Sequence, residues 1–493
     1  MNLLELPSEI LAQTFVNLRY FDLLSILATC RTLYTFSEDQ VIWREVFLRE
    51  FDDPRVRIRS LTETPRKLFY ARHGDFDWFI EFRKRIIALS CLRNADTARR
   101  SCHGDKYEAV VETLLDIIDT ADASPAVGNE GTGRSRNISL LPTNSLFSEY
   151  SDSLIRGTLV PKIAIFDKDE SDSQQMASTI GQYRAGSWQW DPSPGRPMTR
   201  SRAALEAEKF RKSENSSRLH VLRGITAYEE EDEKDAGRSR RICYDWTLTN
   251  ERNEYGPWKD DGSGKTDWRR IEAIASVVTR QFIQTVKDRV SLPQGFAYSL
   301  PNRVSIDPSV PDDWAGIQRR WVGTYVFMHW EDLVEFNESR GTSIRSSLEY
   351  TPEACGGLMK LDLKLNMDLK DDPTLNTMLP VCFDFPPLYF SGLSRSEEWQ
   401  MATAIRGMCC LAPGGREVRW RYIVHYGGSD QWQLEGVQPG GVRSGCVYGT
   451  WTSVLHEDDG PVGPFIYAPE ELCKLKCNHI LAHNDGILKF CAV

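Results

Sequence analysis

The sequence is poor in cysteine and lacks any long apolar run. Its 12 Cys among 493 residues follow no repeating spacing, so a disulfide-stabilised secreted domain is excluded and a reducing compartment is expected. No apolar segment approaches the roughly 20 residues that a membrane helix needs. The opening residues include Glu5, Pro7 and Glu9, which interrupt the apolar core that a secretory leader requires. These features predict a protein of the cytoplasm and/or nucleus with no membrane partner.

A strong charge of one sign is also missing. The chain has 60 Lys and Arg against 70 Asp and Glu, a formal charge of −10, and this balance provides no basic footprint for nucleic acid. A content of 41% hydrophobic and 26% charged residues is typical of a folded globular protein. At roughly 150 residues per domain, the length predicts about three structural units.

Compact catalytic and nucleotide-binding motifs are absent as well. The segment GSGKT at 262–266 is similar to the end of a phosphate-binding loop, but Lys259 stands where that motif requires glycine. A buried strand should precede such a loop, and the charged Asp260 and Asp261 are not typical of one. There is no nucleophile elbow, HExxH pair or glycine-rich dinucleotide turn. We therefore predict neither catalysis by this chain nor a bound cofactor.

A group of potential metal ligands lies near the C-terminus, at Cys473, Cys477, His479 and His483. Zinc fingers of this ligand set separate the Cys pair from the His pair by about twelve residues, whereas here Asn478 alone lies between them. On a helix the two pairs would also point in different directions. The sequence therefore predicts no metal site.

The first 50 residues have the spacing of short amphipathic helices. Pro7 is suited to a helix start, and Ile10, Leu11, Phe15 and Leu18 follow on one stripe at the helical period. A domain of about 45 residues cannot bury all of its apolar surface by itself. We therefore expect part of the stripe to contact a partner or the rest of the chain.

Composition divides the remaining chain into four regions. Residues 51–120 are predicted to be helical, and 121–240 to be a mixed region with flexible polar loops. Within the latter, the acidic run EEEDEKD at 229–235 is typical of a solvated loop. Residues 241–300 hold a well-patterned helix from Trp268 to Val290.

Residues 301–493 show strand periodicity. The segment MKLDLKLNMDLK alternates apolar and polar residues from Met359 onward, as a half-buried strand of about eleven residues does. Farther on, a hairpin around PGG places Val418, Trp420, Tyr422, Val424 and Tyr426 on one face. Successive hairpins of this kind predict an antiparallel β-barrel or sandwich. The whole chain is therefore predicted to be α+β, with helices first and the β-region last.

The N-terminal segment LELPSEILAQTFVNLRYFDLLSILATCRTLYTFSEDQVIWREVF resembles an F-box, the adaptor-binding motif of SCF-type ubiquitin ligases. This resemblance implies an all-α F-box at 1–50 that binds the Skp adaptor, and through it a cullin and a RING subunit. It implies that the chain is the non-catalytic receptor subunit, which holds an unknown protein substrate for degradation. The residues expected to bind the adaptor are Leu6, Pro7, Ile10, Leu11, Phe15, Leu18, Leu23, Leu24, Cys30, Leu33 and Trp43. Leu33 departs from the family pattern, since many members carry Trp at that position.

Later blocks, such as QWQLEGVQPGGVRSGCVYGTWT, resemble segments of large fungal F-box proteins, and the C-terminal region is similar to the degron-binding barrel of some F-box-only proteins. Because binding sites favour aromatic and Arg side chains, Trp321, Arg419, Arg421 and Trp432 are the candidate substrate-binding residues. Arg419 and Arg421 alternate with Trp420 and are expected on a solvent face or in a groove. Two alternatives stay open: a Skp-bound scaffold outside ubiquitination, and a ligand-binding or glycan-binding β-domain.

Overall fold

The computed structural model describes residues 5–54, 76–95, 97–98, 105–121, 135–142, 149–156, 213–230, 232–286, 289–299, 313–339, 348–396 and 402–475. Helices dominate as far as residue 286, and strands dominate thereafter. This order confirms the predicted α+β organisation. Among the residues described, none of the helices combines the length and apolar composition needed to cross a lipid bilayer.

The N-terminal part consists of four short helices, α1 (Ser8–Val16), α2 (Tyr20–Leu27), α3 (Arg31–Tyr34) and α4 (Gln40–Glu50). Pro7 directly precedes α1 with a φ of −53°, so its missing N–H leaves no helical hydrogen bond unmade. The Asp39 side chain accepts a 2.8 Å hydrogen bond from the Val41 N–H at the start of α4, as a helix N-cap does.

Nine further helices follow. They are α5 (Trp78–Arg93), α6 (Asp105–Asp119), α7 (Arg136–Leu140), α8 (Glu149–Ile155), α9 (Glu214–Arg223), α10 (Ala227–Glu230), α11 (Glu233–Cys243), α12 (Trp268–Val286) and α13 (Trp330–Glu338) among the described residues. One hydrophobic core joins the N-terminal helices to α5, α6 and α9. The predicted helix from Trp268 is therefore present and ends at Val286.

The acidic run at 229–235 is not the solvated loop that its composition suggests. It includes the end of α10 and the start of α11, and Asp232 caps α11 by accepting from the Asp235 N–H at 3.1 Å. Glu229 is only 1% exposed and pairs with the buried Arg223 at 2.9 Å. The prediction failed because the cations that neutralise this run lie elsewhere in the fold.

Eight antiparallel strands close into a barrel. In chain order they are β2 (Arg320–Met328), β4 (Met359–Leu365), β5 (Leu388–Ser396), β6 (Ala402–Leu411), β7 (Val418–Tyr426), β8 (Ser429–Gln438), β9 (Val447–Ser453) and β10 (Val462–Pro469). Each pairs with the next, and β10 pairs with β2 to close the ring. The β-region is thus a barrel, one of the two predicted architectures. Strand β3 (Glu353–Cys355) adds to β2, and β1 (Val290–Ser291) pairs with β11 (Lys474–Leu475).

Aromatic side chains fill the middle of the barrel. Trp321 and Trp420 meet at 5.0 Å between ring centroids, and Tyr422 packs against Phe465 at 6.0 Å. Gly407 is required beside these rings, because a Cβ there would lie 2.4 Å from Phe390. The interior is therefore a packed core of large side chains rather than an empty cavity.

Helix α12 covers one side of the barrel. Its Ile271, Ile274 and Val278 share a core with Val322 and Ile466, which point outward from β2 and β10. This contact explains why these strands are apolar on both faces.

The strand beginning at Met359 is shorter than predicted. Its alternation holds to Leu365, after which a 3-10 turn spans Met367–Asp371. The Asn366 side chain accepts a hydrogen bond from the Asp368 N–H at 3.2 Å. This local bond turns the chain and competes with continued strand pairing.

Candidate functional site

The buried side of the N-terminal helices holds five of the predicted adaptor-binding residues. Leu11, Phe15, Leu23, Leu33 and Trp43 are each at most 4% exposed and belong to the core of this chain. In this arrangement their side chains support the helices from within and offer no accessible surface to a partner. The apolar stripe of the sequence thus contains core residues as well as surface residues.

The opposite side of the same helices remains accessible. Ile10 of α1 is 51% exposed, Phe21 of α2 71%, Tyr34 of α3 60% and Val41 of α4 66%. Each of four successive helices therefore exposes one large apolar side chain, and such side chains mark an interaction site where they form a patch. We call these four residues the N-terminal apolar surface.

The other predicted adaptor-binding residues are partly or fully accessible. Leu6, Leu18, Leu24 and Cys30 are half-buried against the N-terminal core, and Pro7 is exposed at the start of α1. Phe21, Tyr34 and Val41 escaped the sequence prediction because they do not follow the buried stripe. The sequence signal that could have identified them is that each is a large apolar residue on the otherwise polar side of its helix.

Helix α5 packs against the N-terminal helices that carry the N-terminal apolar surface. Trp43 packs on Phe79 at 4.6 Å between centroids and on Phe82 at 6.3 Å. The fully buried Arg85 guanidinium lies 4.9 Å from the Phe47 ring centroid and donates to Glu81 at 3.0 Å. The four N-terminal helices are therefore held in a fixed orientation on the helical region that follows.

The structure does not support three of the four predicted substrate-binding residues. Trp321 is fully buried within the barrel, and Arg419 and Arg421 are 2% and 5% exposed. The alternation was predicted correctly, since both Arg side chains point away from Trp420 to the outside of β7. The predicted solvent exposure was wrong, because the segment around Glu254 covers them.

These arginines form a buried ion-pair cluster with two glutamates. Arg419 donates to Glu254 at 2.6 Å and to Glu435 at 2.9 Å, and Arg421 bonds the same two carboxylates. Burial by itself would raise the pKa of Glu254, but Arg419 and Arg421 outweigh it and lower the value to about 2. The cluster holds the segment around Glu254 against the barrel wall.

Trp432 is the one predicted substrate-binding residue that lies at an accessible place. It is half-buried near the start of β8 and meets Trp451 edge-to-face at 5.3 Å. Barrel mouths are common ligand sites. The candidate substrate site of the barrel is therefore its end near Trp432.

The potential metal ligands lie largely outside the described residues. Only Cys473 of the four is described, and it is 8% exposed, with burial as the largest cause of a raised thiol pKa. Within the described part of the chain, no three or more His, Cys, Asp or Glu side chains are grouped as a metal would require.

In comparison with known proteins, the N-terminal helices match a protein family. A family model described as F-box-like matches residues 3–49. The human protein F-box only protein 7 is 35% identical over 85 residues, a segment that covers 17% of this chain and 13% of that protein. No solved structure matches the chain. The match coincides with α1 to α4, which carry the N-terminal apolar surface.

Proposed function

We propose that this chain, which carries an F-box-like domain at residues 3–49, is a substrate receptor of an SCF-type ubiquitin ligase. The observation that carries this proposal is the N-terminal apolar surface, exposed on the four helices that the family match covers. An F-box domain binds the Skp adaptor, so this surface is its proposed contact. The cytoplasm and/or nucleus is the proposed location.

The energetics favour such a contact. Burying one exposed Ile or Phe side chain is worth roughly 1.5 to 3 kcal/mol, and these helices expose Ile10 and Phe21 together with Tyr34 and Val41. The buried residues Leu11, Phe15, Leu23, Leu33 and Trp43 keep the surface in shape. Half-buried Leu6, Leu18, Leu24 and Cys30, with exposed Pro7, border it.

The proposed mechanism is positioning. The adaptor brings a cullin and a RING subunit, while the barrel holds a target protein near the ubiquitin-loaded enzyme. Holding two reactants together raises their effective concentration and requires no acid or base from this chain. The proposed chemical step therefore belongs to the partners.

A pair of matched substitutions tests the adaptor contact. Ile10→Asp places a charge on the N-terminal apolar surface, and Ile80→Asp makes the same change at a similarly exposed position of α5, 48% against 51%. The full-length chain, co-expressed with Skp adaptor and cullin, is captured by affinity and its partners are quantified. We expect Ile10→Asp to reduce adaptor capture by about tenfold or more, since a loss of 1.4 kcal/mol already gives that factor, and Ile80→Asp to leave it unchanged.

Equal adaptor capture by both variants would contradict the proposed contact. Capture of the adaptor without the cullin would instead favour the scaffold alternative. A protein that accumulates when the chain is deleted, and that co-purifies with it under proteasome inhibition, would identify a target.

A further inference from the structure

The two ends of the barrel differ in accessibility. At one end, Trp314 stacks on Phe385 at 5.2 Å, and the two side chains are 2% and 5% exposed. The Trp314 indole N–H donates to the Pro386 carbonyl at 2.8 Å. We call this the sealed end.

The other end is open among the described residues. Because the strands are antiparallel, β2, β7 and β9 end there and β4, β8 and β10 begin there. The inward-facing side chains nearest this end, Tyr325, Phe327, Met359, Val424 and Trp432, are half-buried against the barrel core. We call this the open end.

Exposed apolar side chains surround the open end. Trp330 follows β2 and is 51% exposed, Tyr426 ends β7 at 55%, and Leu455 follows β9 at 74%. A register shift between Val424 and His425 ends the regular alternation just before Tyr426. Three such residues from three different segments, beside half-buried aromatic rings, form the type of patch that marks an interaction site.

Two buried hydroxyl groups inside the barrel have no hydrogen-bond partner. Ser394 and Tyr422 are 3% and 1% exposed, and neither side-chain oxygen is bonded to a described residue. Both side chains face the barrel interior. Ser394 pairs with the inward-facing Leu361, and Tyr422, two residues after Trp420, lies on the same face of β7. Buried hydroxyl groups are normally satisfied. Tyr422 lies among the packed rings of the core, whereas Ser394 lies two residues from the end of β5 at the open end.

Charge around the open end is negative. Glu331 and Asp332 begin α13 directly after Trp330, and exposed Glu457, Asp458 and Asp459 follow Leu455. The nearby cations are already engaged. Arg406 pairs with Asp372 and Asp430, each at 2.7 Å, and Arg395 lies 3.5 Å from Asp362.

We infer that the open end binds a polypeptide segment that carries a lysine or arginine next to a large apolar residue. The apolar residue packs against Trp330, Tyr426 and Leu455, and the cation lies over the face of Trp432 or Tyr325, where the ring attracts it. This inference rests on the proposed receptor function and defines the class of its substrate.

The negative charge also defines what is not bound. A phosphorylated or acidic segment would bring like charge to five carboxylates, and such juxtaposition costs affinity. The recognised segment is therefore basic and unphosphorylated.

Fluorescence-labelled short peptides test this inference on the full-length chain, with and without the Skp adaptor. The probe has the core Arg-Phe-Lys-Leu between Gly-Ser flanks. One control peptide replaces Arg and Lys by Glu, and a second keeps the basic core and adds an adjacent phosphoserine. We expect saturable binding of the probe that weakens with salt, and affinity lower by about tenfold or more for both controls, a factor that corresponds to 1.4 kcal/mol.

Matched variants locate the binding on the molecule. Leu455→Ser and the pair Asp458→Lys with Asp459→Lys alter the open end. Phe383→Ser, 80% exposed, and the pair Asp368→Lys with Asp371→Lys make the same changes toward the sealed end. We expect about tenfold weaker probe binding for each open-end variant and wild-type binding for each sealed-end variant.

Absence of probe binding, equal binding of the acidic or phosphorylated peptide, or wild-type affinity in both open-end variants would overturn the inference. Adaptor capture, measured on the same preparations, separates this from the proposed function. If the adaptor binds and the probe does not, the inference fails and the receptor proposal stands. If the probe binds and the adaptor does not, the open end is a peptide site on a chain with another role.

Discussion

At the residue scale, Glu254 shows how one side chain fastens a distant segment to the barrel. Its carboxylate accepts from the Leu379 N–H at 3.0 Å and from Thr377 at 3.1 Å, in addition to both barrel arginines. Glu254 itself has a φ of 48°, in the left-handed region that a non-glycine residue seldom occupies. Several simultaneous bonds to one carboxylate hold the residue in this conformation.

This arrangement predicts a pH-dependent contribution to stability. Because the folded-state pKa of Glu254 is lowered to about 2 from its ordinary 4.5, its ionised form stabilises the fold above about pH 4.5, and that contribution is lost as the pH falls toward 2. Glu254→Gln should therefore lower the free energy of unfolding by about 3 kcal/mol at neutral pH, and by less at about pH 3. Urea unfolding at both pH values measures the difference.

Glu338→Gln, at an exposed position of α13, is the control and should behave like the wild type at both pH values. A difference between wild type and Glu254→Gln that stays constant with pH would contradict the assigned role of the ionised carboxylate.

The same cluster shows where prediction from sequence stops. Strand alternation correctly placed Arg419 and Arg421 opposite Trp420. It could not show that Glu254, more than 160 residues earlier in the chain, covers them. The prediction for Glu229 failed for the same reason. The composition of its segment indicates solvent exposure, whereas Arg156, 73 residues earlier in the chain, lies 3.5 Å from its carboxylate in the fold. Burial of charge depends on contacts between distant segments, and local patterns do not contain them.

At the scale of single elements, periodicity correctly predicted several helices and strands. It gave the helix from Trp268, the hairpin that contains Trp420 and the strand that begins at Met359, because each repeats its apolar residues on one face. Within the F-box-like helices it did not separate residues that face the chain's own core from those that face outward. Ile10 and Leu11 are neighbours in sequence, yet one is 51% exposed and the other 3%.

Helix α5 is expected to stabilise the N-terminal helices. Phe82 is fully buried and contacts Tyr20 at 5.1 Å and Phe51 at 5.8 Å between ring centroids. Phe82→Ala should lower the free energy of unfolding of the N-terminal helices by about 4 kcal/mol, since it leaves a cavity among aromatic rings. Hydrogen exchange resolved by segment should then show lower protection in α2 and α4.

The matched control is Ile80→Ala on the same helix, 48% exposed. Substitution at such a position should change stability by no more than about 0.5 kcal/mol. Unchanged protection of α4 in Phe82→Ala would show that α5 does not support the F-box-like helices.

At the scale of the whole molecule, Asp119 joins the helical region to the barrel. Its carboxylate pairs with Arg218 of α9 at 2.7 Å and with Arg416, in the turn between β6 and β7, at 2.6 Å. Asp119 is 6% exposed, so this three-part contact is largely shielded from solvent. It fixes the barrel relative to the helices that carry the N-terminal apolar surface.

Asp119→Ala should therefore weaken the coupling between the two regions. Removing one partner of a buried ion pair costs about 3 kcal/mol, and Asp119 pairs with two arginines. We expect protection of the barrel and of the helices to be lost at different urea concentrations in the variant, and together in the wild type. Arg395→Met, which removes an exposed pair, is the control and should keep a single transition.

The sealed end determines how a partner can use the barrel. Since Trp314 and Phe385 close one end and aromatic rings fill the middle, the barrel is not a tunnel. A polypeptide cannot pass through it, so the proposed segment contacts the open end alone. A protruding side chain, a tight loop or a chain terminus suits such a shallow contact.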